Sequence, residues 1–374
     1  MNRLKSWLSL SLVLILLLGF SACGETEGVP STQTTASTNS VSIQNTDQNT
    51  EPEPILYENP LTGIDVEYDN AGKRPVAIML NNIKQALPQE GISAVDVLIE
   101  CPVEGGITRL MGLVSDYASM EEIGSIRSSR PYYLDFAQAF DAIYCHAGGS
   151  NQAYSQIASR KINNIDGVKK DPLDVYYRDQ ERLKTMDLEH TMMTTGEGIV
   201  KSIAHFNYRT ELRSDFKLPY SFPTGKEPIS VGAEDALHVY IPVTGYQKVD
   251  YVYDAETKAY LRYQHNGNKH VDGNNDQQLS FTNVIVLFCK TTVIDSYGLL
   301  EITNVGSGSG YLISGGKYTA VTWTRESRDG NLTLTETETG NPLVINRGKT
   351  AVNVCPLDVK KQINLNATDR TVAQ

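Results

Sequence analysis

The stretch Ala142-Ile143-Tyr144-Cys145-His146-Ala147-Gly148-Gly149-Ser150 decides how the rest of the chain is read. Ala142 to Cys145 is a short apolar run of strand type. The Gly148-Gly149-Ser150 turn follows, and Gln152 to Ala158 continues with helical character. A strand that feeds a helix through a glycine turn belongs to an α/β layer. The neighbouring segments agree. Val76-Ala77-Ile78-Met79-Leu80, Val95 to Cys101 and Ile107 to Val114 read as strands too apolar to have a solvated face. Pro131 stands where a first helical residue should, and Leu134, Ala137 and Phe140 fall on one face of the helix that it opens. Residues 194 to 206 carry Ile199, Ile203 and Phe206 at helical spacing.

After about Leu218 the texture changes. Pro219, Pro223, Gly225 and Pro228 mark a linker over 218–230. From Ala236 the apolar period is two. Leu237 to Ile241, Tyr251 to Tyr253, Tyr260 to Tyr263, Val284 to Phe288, Leu299 to Thr303, Tyr318 to Trp323 and Leu332 to Thr335 read as strands. Asn266-Gly267 and Asp329-Gly330 are hairpin dipeptides. The expected fold class is an α/β N-terminal domain, a mixed sheet with helices, over 58–217. A mainly antiparallel β-rich C-terminal domain follows over 231–358, with a tail at 359–374.

The first 57 residues read differently. Arg3 and Lys5 precede an apolar run from Leu8 to Phe20. About 13 such residues are too few to cross a bilayer core, which takes roughly 20. They match a signal-peptide core, so 1–22 reads as a leader. Phe20-Ser21-Ala22-Cys23 then resembles a lipobox, in which Cys23 takes a diacylglyceryl thioether, joins a palmitate-type acyl anchor to the chain and becomes its first residue. Residues 23–57 are rich in Ser, Thr, Asn, Gln and Pro and have little to bury, so they read as a disordered tether. The expectation is a cell-membrane lipoprotein held on the extracytoplasmic side by its lipid anchor.

Removing Arg3 and Lys5 with the leader leaves 31 Lys and Arg against 44 Asp and Glu, a formal charge of −13. So acidic a chain repels nucleic acid, and no nucleic-acid partner is expected. Cys101, Cys145, Cys289 and Cys355 lie in or beside apolar runs with no CxxC spacing. They read as buried free thiols, with disulfides permitted by export, and no metal site or cofactor is expected.

Against this acidity, arginines gather in a few places. Glu104-Gly105-Gly106-Ile107-Thr108-Arg109, Gly124 to Tyr132 with Arg127 and Arg130, and Tyr177-Arg178-Asp179-Gln180-Glu181-Arg182 are the segments concerned. Arginine suits bidentate contact with phosphate or carboxylate. The Gly148-Gly149-Ser150 turn ahead of a helix offers backbone donors to an anion. The candidate ligand-binding residues are therefore Arg109, Arg127, Arg130, His146, Gly148, Gly149, Ser150 and Arg178, with Glu104 and Asp179 as candidate acid or base groups. Glu100 could pair with Glu104. The competing reading is structural: glycines that only turn the chain, a packed His146, and arginines paired with Asp135, Asp141 or Asp179. Asn346-Arg347-Gly348-Lys349-Thr350 reads as a solvated polar turn with a basic tip. No nucleophile elbow, His-Glu-x-x-His or P-loop pattern occurs. Three functions remain open: a tethered protein that binds an anionic envelope ligand or a protein partner, an enzyme of cell-wall polymers or lipid-linked phosphates, and a purely structural lipoprotein.

Several motifs in order resemble the YerB-like lipoprotein family, whose members carry a two-part bacterial domain of unknown function. They are Arg74 to Met79, Val103 to Arg109, Ile123 to Tyr132, Asp141 to Tyr144, His146 to Ser150 and Tyr177-Arg178-Asp179, with Trp323 and Gly348-Lys349-Thr350 in the second part. The resemblance covers about residues 58–357 and implies an exported lipoprotein of Gram-positive-type bacteria. It departs after Arg182: many members continue with an Ala-Pro-His-Asn-like segment, and this chain has Met186-Asp187-Leu188-Glu189-His190-Thr191.

Overall fold

In the computed structural model, residues 54–169 and 171–373 are described. Cys23, the leader and the tether up to residue 53 lie outside them. Among the described residues no helix is long and apolar enough to cross a membrane.

The organising element is a twelve-stranded mixed sheet. Its strands, in chain order, are β1 (Val76–Asn81), β2 (Val97–Pro102), β3 (Thr108–Val114), β4 (Ile143–His146), β5 (Asn164–Asp166), β6 (Glu234–Asp235), β7 (Asn283–Val293), β8 (Leu300–Thr303), β9 (Gly306–Ser314), β10 (Lys317–Arg325), β11 (Thr333–Glu336) and β12 (Thr350–Pro356). Their spatial order is β6-β10-β9-β7-β12-β2-β3-β1-β4-β5, with β8 on β7 and β11 on β10. The N-terminal part is a mixed sheet with few helices, and the C-terminal part is built of antiparallel sheets, as the residue patterns indicate. The ladder does not break between them. β12, from the end of the chain, lies parallel to both β7 and β2, with Val352 opposite Ile285 on one side and Ile99 on the other. A strand buried between two neighbours must be apolar on both faces, which explains its Ala-Val-Asn-Val-Cys run.

Both faces of the sheet are covered. Helices α1 (Pro131–Ala139) and α2 (Asn151–Ser159) pack on one face, over Met79, Ile99, Met111, Leu287 and Val354. The other face holds Ile78, Leu98, Leu110, Val286 and Cys355. It is closed by α3 (Gly196–His205) and by a second sheet made of residues 238–241, 249–254, 259–264, 268–269 and 280–281. Alternate residues of one strand thus enter two different cores. Cys101, Cys145, Cys289 and Cys355 are all free and buried. Burial pushes the Cys145 and Cys289 thiols up to about 12.

Strand β9 escapes sequence reading, because Gly306-Ser307-Gly308-Ser309-Gly310 looks like a linker. The glycines answer to packing instead. A Cβ on Gly308 would meet the Trp323 ring at 2.5 Å, and one on Gly310 would meet the Val286 carbonyl oxygen at 2.2 Å. The solvated turn expected at 346–350 is also corrected. Arg347 donates to the Glu58 carboxylate at 2.7 Å and to the Pro223 carbonyl at 2.9 Å, Gly348 N–H donates to Thr62 at 2.8 Å, and the Lys349 ammonium reaches the Ser93 carbonyl. The turn is a clasp over residues 58–63. Tyr57–Glu58 pairs with Asp65–Val66.

The carboxyl ends of β1, β2, β4, β5, β7, β10 and β12 point to one end of the sheet, here called upper. Residue 59 enters at the lower end, where its side chain donates to Asp96 and Ser115. Ligands of open α/β sheets sit at strand carboxyl ends, and the arginines are found there.

Candidate functional site

Arg109 is the second residue of β3, opposite Asn81 and Cys101 at the upper end. Arg127 is threaded across the ends of β1 and β4: its N–H donates to the Met79 carbonyl, and its own carbonyl accepts from Ala147 N–H. Arg130 is the residue before α1, with Pro131 at the first helical position. Arg178 ends the strand Tyr176–Arg178, which pairs with Met192–Thr194. Three separate segments therefore bring four arginines to one region.

The four are not equivalent. Arg130 forks onto Glu104, Nε to Oε1 at 2.6 Å and Nη2 to Oε2 at 2.8 Å. Burial pushes the Glu104 carboxyl up, yet the Arg130 hydrogen bonds and charge outweigh it and hold the group below its ordinary range. An ionised, clamped carboxylate is no general acid. Arg109 is different. It is 5% exposed, and its Nη1 donates to the Ser128 carbonyl at 2.9 Å. Its Nε is buried with no acceptor, and no carboxylate among the described residues lies within ion-pair distance of it. Burial, then the nearby charges of Arg130 and Arg127, push it down to about 10. Arg127 also has a buried Nε without acceptor; its Nη1 lies 3.3 Å from Glu189 Oε2 and donates to the Glu189 carbonyl at 3.2 Å. Arg178 reaches only the Leu188 carbonyl. Burial and the charge of Arg127 lower its pKa.

The remaining expected site residues do structural work. His146 is fully buried; its Nδ1 donates to the Gly148 carbonyl at 2.7 Å, and its Nε2 accepts from Asn164 at 3.1 Å. Burial lowers its pKa, so it stays neutral. Gly148 N–H is taken by Asp166 at 2.8 Å, and Ser150 N–H faces the Ser129 carbonyl at 3.4 Å. Ser150 Oγ caps α2 by accepting from Ala153 N–H at 3.1 Å. Gly148, Gly149 and Ser150 thus buttress the Arg127–Arg130 segment, with these two donors already committed. Asp179 caps the turn at 181–182, away from Glu104, accepting from both backbone N–H groups. Arg182 is consumed by Glu90 and by the carbonyls of Ala86 and Pro88. Glu100 does not pair with Glu104; it accepts from Arg262 at 2.6 Å, Thr108 at 2.5 Å and Asn82 at 3.0 Å.

Two residues around the cluster were not among the expected binding residues. His190 accepts from Asn81 Nδ2 at 2.8 Å through Nδ1, and Glu189 sits over Arg127. Burial lowers the His190 pKa; Glu189 raises it and Arg127 lowers it further. Both belong to the segment that departs from the family pattern. The sequence displays Glu189-His190, but only as a pair too short for a metal motif. Among the described residues no group of three His, Cys, Asp or Glu could hold a metal ion.

A mixed sheet with an arginine cluster at its strand ends, joined to an antiparallel second part, defines a two-part protein. The chain belongs to the family of proteins of unknown function (DUF3048): the model of its N-terminal domain matches residues 61–209, and that of its C-terminal domain residues 239–352. The chain is 26% identical over 297 residues to a Bacillus subtilis (strain 168) protein named "Putative lipoprotein YerB", covering 79% of this chain and 86% of that protein. The crystal structure of the YerB protein from Bacillus subtilis superposes with a TM-score of 0.69 at 26% identity, covering 81% of this chain and 98% of that one.

Proposed function

We propose that this protein is a lipoprotein of the bacterial cell envelope, anchored through Cys23 on the extracytoplasmic side, that binds an anionic ligand at Arg109, Arg127 and Arg178. The name of the Bacillus subtilis relative supports the anchor. One observation carries the binding site: Arg109 is 5% exposed and lacks a carboxylate partner, beside an Arg127 whose Nε also lacks an acceptor. A buried guanidinium that repels its neighbours is costly unless an anion completes it. Arg130 is excluded from direct contact by its fork onto Glu104 and serves as a positioning residue. The ligand carries phosphate or carboxylate oxygens, which guanidinium groups accept in pairs.

Calorimetry with inorganic pyrophosphate, a dicarboxylate and acidic wall polymer tests this. Binding of at least one of them, weakened tenfold or more by Arg127→Ala at unchanged circular dichroism, is expected. Equal binding by the wild type and the variant would remove the site.

A further inference from the structure

A second feature lies at the same end of the sheet, and no arginine lines it. It is a groove of about 800 Å³ at the carboxyl ends of β2, β7 and β12. Buried Val103, Val243 and Val359 contribute its apolar interior, and Gly105 and Gly106 form one wall. β7 outruns its partner here. Its pairing with β12 ends at Cys289 opposite Pro356, yet β7 continues to Val293, with β8 covering only its other side.

The direction of the free backbone groups follows from register. Asn283 N–H donates to the Lys349 carbonyl on the β12 side, and Ile294 N–H donates to Leu299 on the β8 side. Alternation along the strand turns Thr291 and Val293 toward the groove. Both line it, and their N–H and C=O groups have no partner among the described residues. An open strand edge is a template for another strand. We propose that this groove binds an extended segment of a partner polypeptide, which adds to the Thr291–Val293 edge in the place that a longer β12 would take. Charge points the same way. Lys248 and Asp358 line the groove, and neither makes an ion pair among the described residues. A strand carrying both signs of charge complements them, whereas a neutral sugar or a lipid chain would leave both unmatched. The glycine wall lets the strand's backbone approach closely.

The test uses the full chain in detergent micelles. Peptides are selected from a random twelve-residue library, and the strongest is synthesised. Hydrogen exchange should slow at least tenfold at the Thr291 and Val293 amides on binding. Val293→Pro removes one outward N–H without touching the β8 ladder and should weaken the peptide at least tenfold. Lys248→Glu should weaken it several-fold at unchanged circular dichroism. Protection elsewhere, no enriched peptide, or full affinity in both variants would overturn the proposal. So would a concentration-dependent dimer that protects the same two amides, because the occupant would then be a second copy.

Discussion

Arg262 and Arg109 are both buried arginines near the meeting of the two sequence parts, and their surroundings are opposite. Arg262 is fully enclosed and fully supplied. It donates to Glu100 at 2.6 Å, to Tyr251 at 3.3 Å, to Gln264 at 3.2 Å and to His270 Nδ1, and His270 passes the contact on to Gln89 at 2.8 Å. Gln89 then donates to the Asn81 carbonyl at 2.7 Å, beside the arginine cluster. Arg109 has one carbonyl acceptor, two cationic neighbours and, as its one anionic neighbour, a Glu104 already clamped by Arg130. The two therefore differ in their supply of acceptors rather than in burial, and the binding role proposed for Arg109 rests on that difference.

Four outcomes would break or sharpen that contrast. The largest is expected from Glu100→Ala, which strands Arg262 in the interior. It should cost about 3–5 kcal/mol in urea denaturation, the range for breaking one partner of a buried pair. A loss under about 1 kcal/mol would mean that the network is not structural. Arg109→Met should do the reverse: stability unchanged or raised by about 1 kcal/mol, since an unsupplied charge leaves the core. Binding of whichever of the three probes the wild type takes should vanish in the same variant, and a strongly destabilised Arg109→Met would make Arg109 structural too.

The third outcome concerns pH. Burial lowers the pKa of His146, His190, His265 and His270 in the folded state. Unfolded histidines titrate near about 6.5. Below that value the unfolded chain binds protons that the folded chain refuses, so stability is full above the histidine range and falls as pH drops through it. The urea midpoint should be flat from pH 8 to 7.5 and lower at pH 6. Glu90, Asp96 and Asp135, whose carboxyls burial raises, act in the opposite sense at lower pH, so the comparison stops at pH 6. The smallest effect is expected from Glu189→Gln. Removing the one carboxylate over Arg127 should tighten anion binding two- to fivefold in calorimetry, and weaker binding would make Glu189 part of the ligand contact.

Element type was largely legible because the buried strands are long apolar runs and the helices carry clear starts, as at Pro131 and Ser150. β9 was not, since its glycines answer to Trp323 and Val286, residues distant in sequence. Within the candidate site the arginines were legible as residue types. Which carboxylate each of them meets was not: Arg130 and Arg127 are three residues apart, yet the first forks onto Glu104 and the second faces Glu189.

By itself the sequence determined the strand and helix alphabet, the acidic composition and the concentration of arginine in three segments. These follow from local composition and periodicity, which each residue carries with it. The tertiary structure decided that β12 stitches the two parts into one sheet, that His146 and the Gly148-Gly149-Ser150 turn are buttresses, and that Arg109 and Arg127 keep unused donors. Those are properties of pairs far apart in the chain, and only folding sets which donor meets which acceptor.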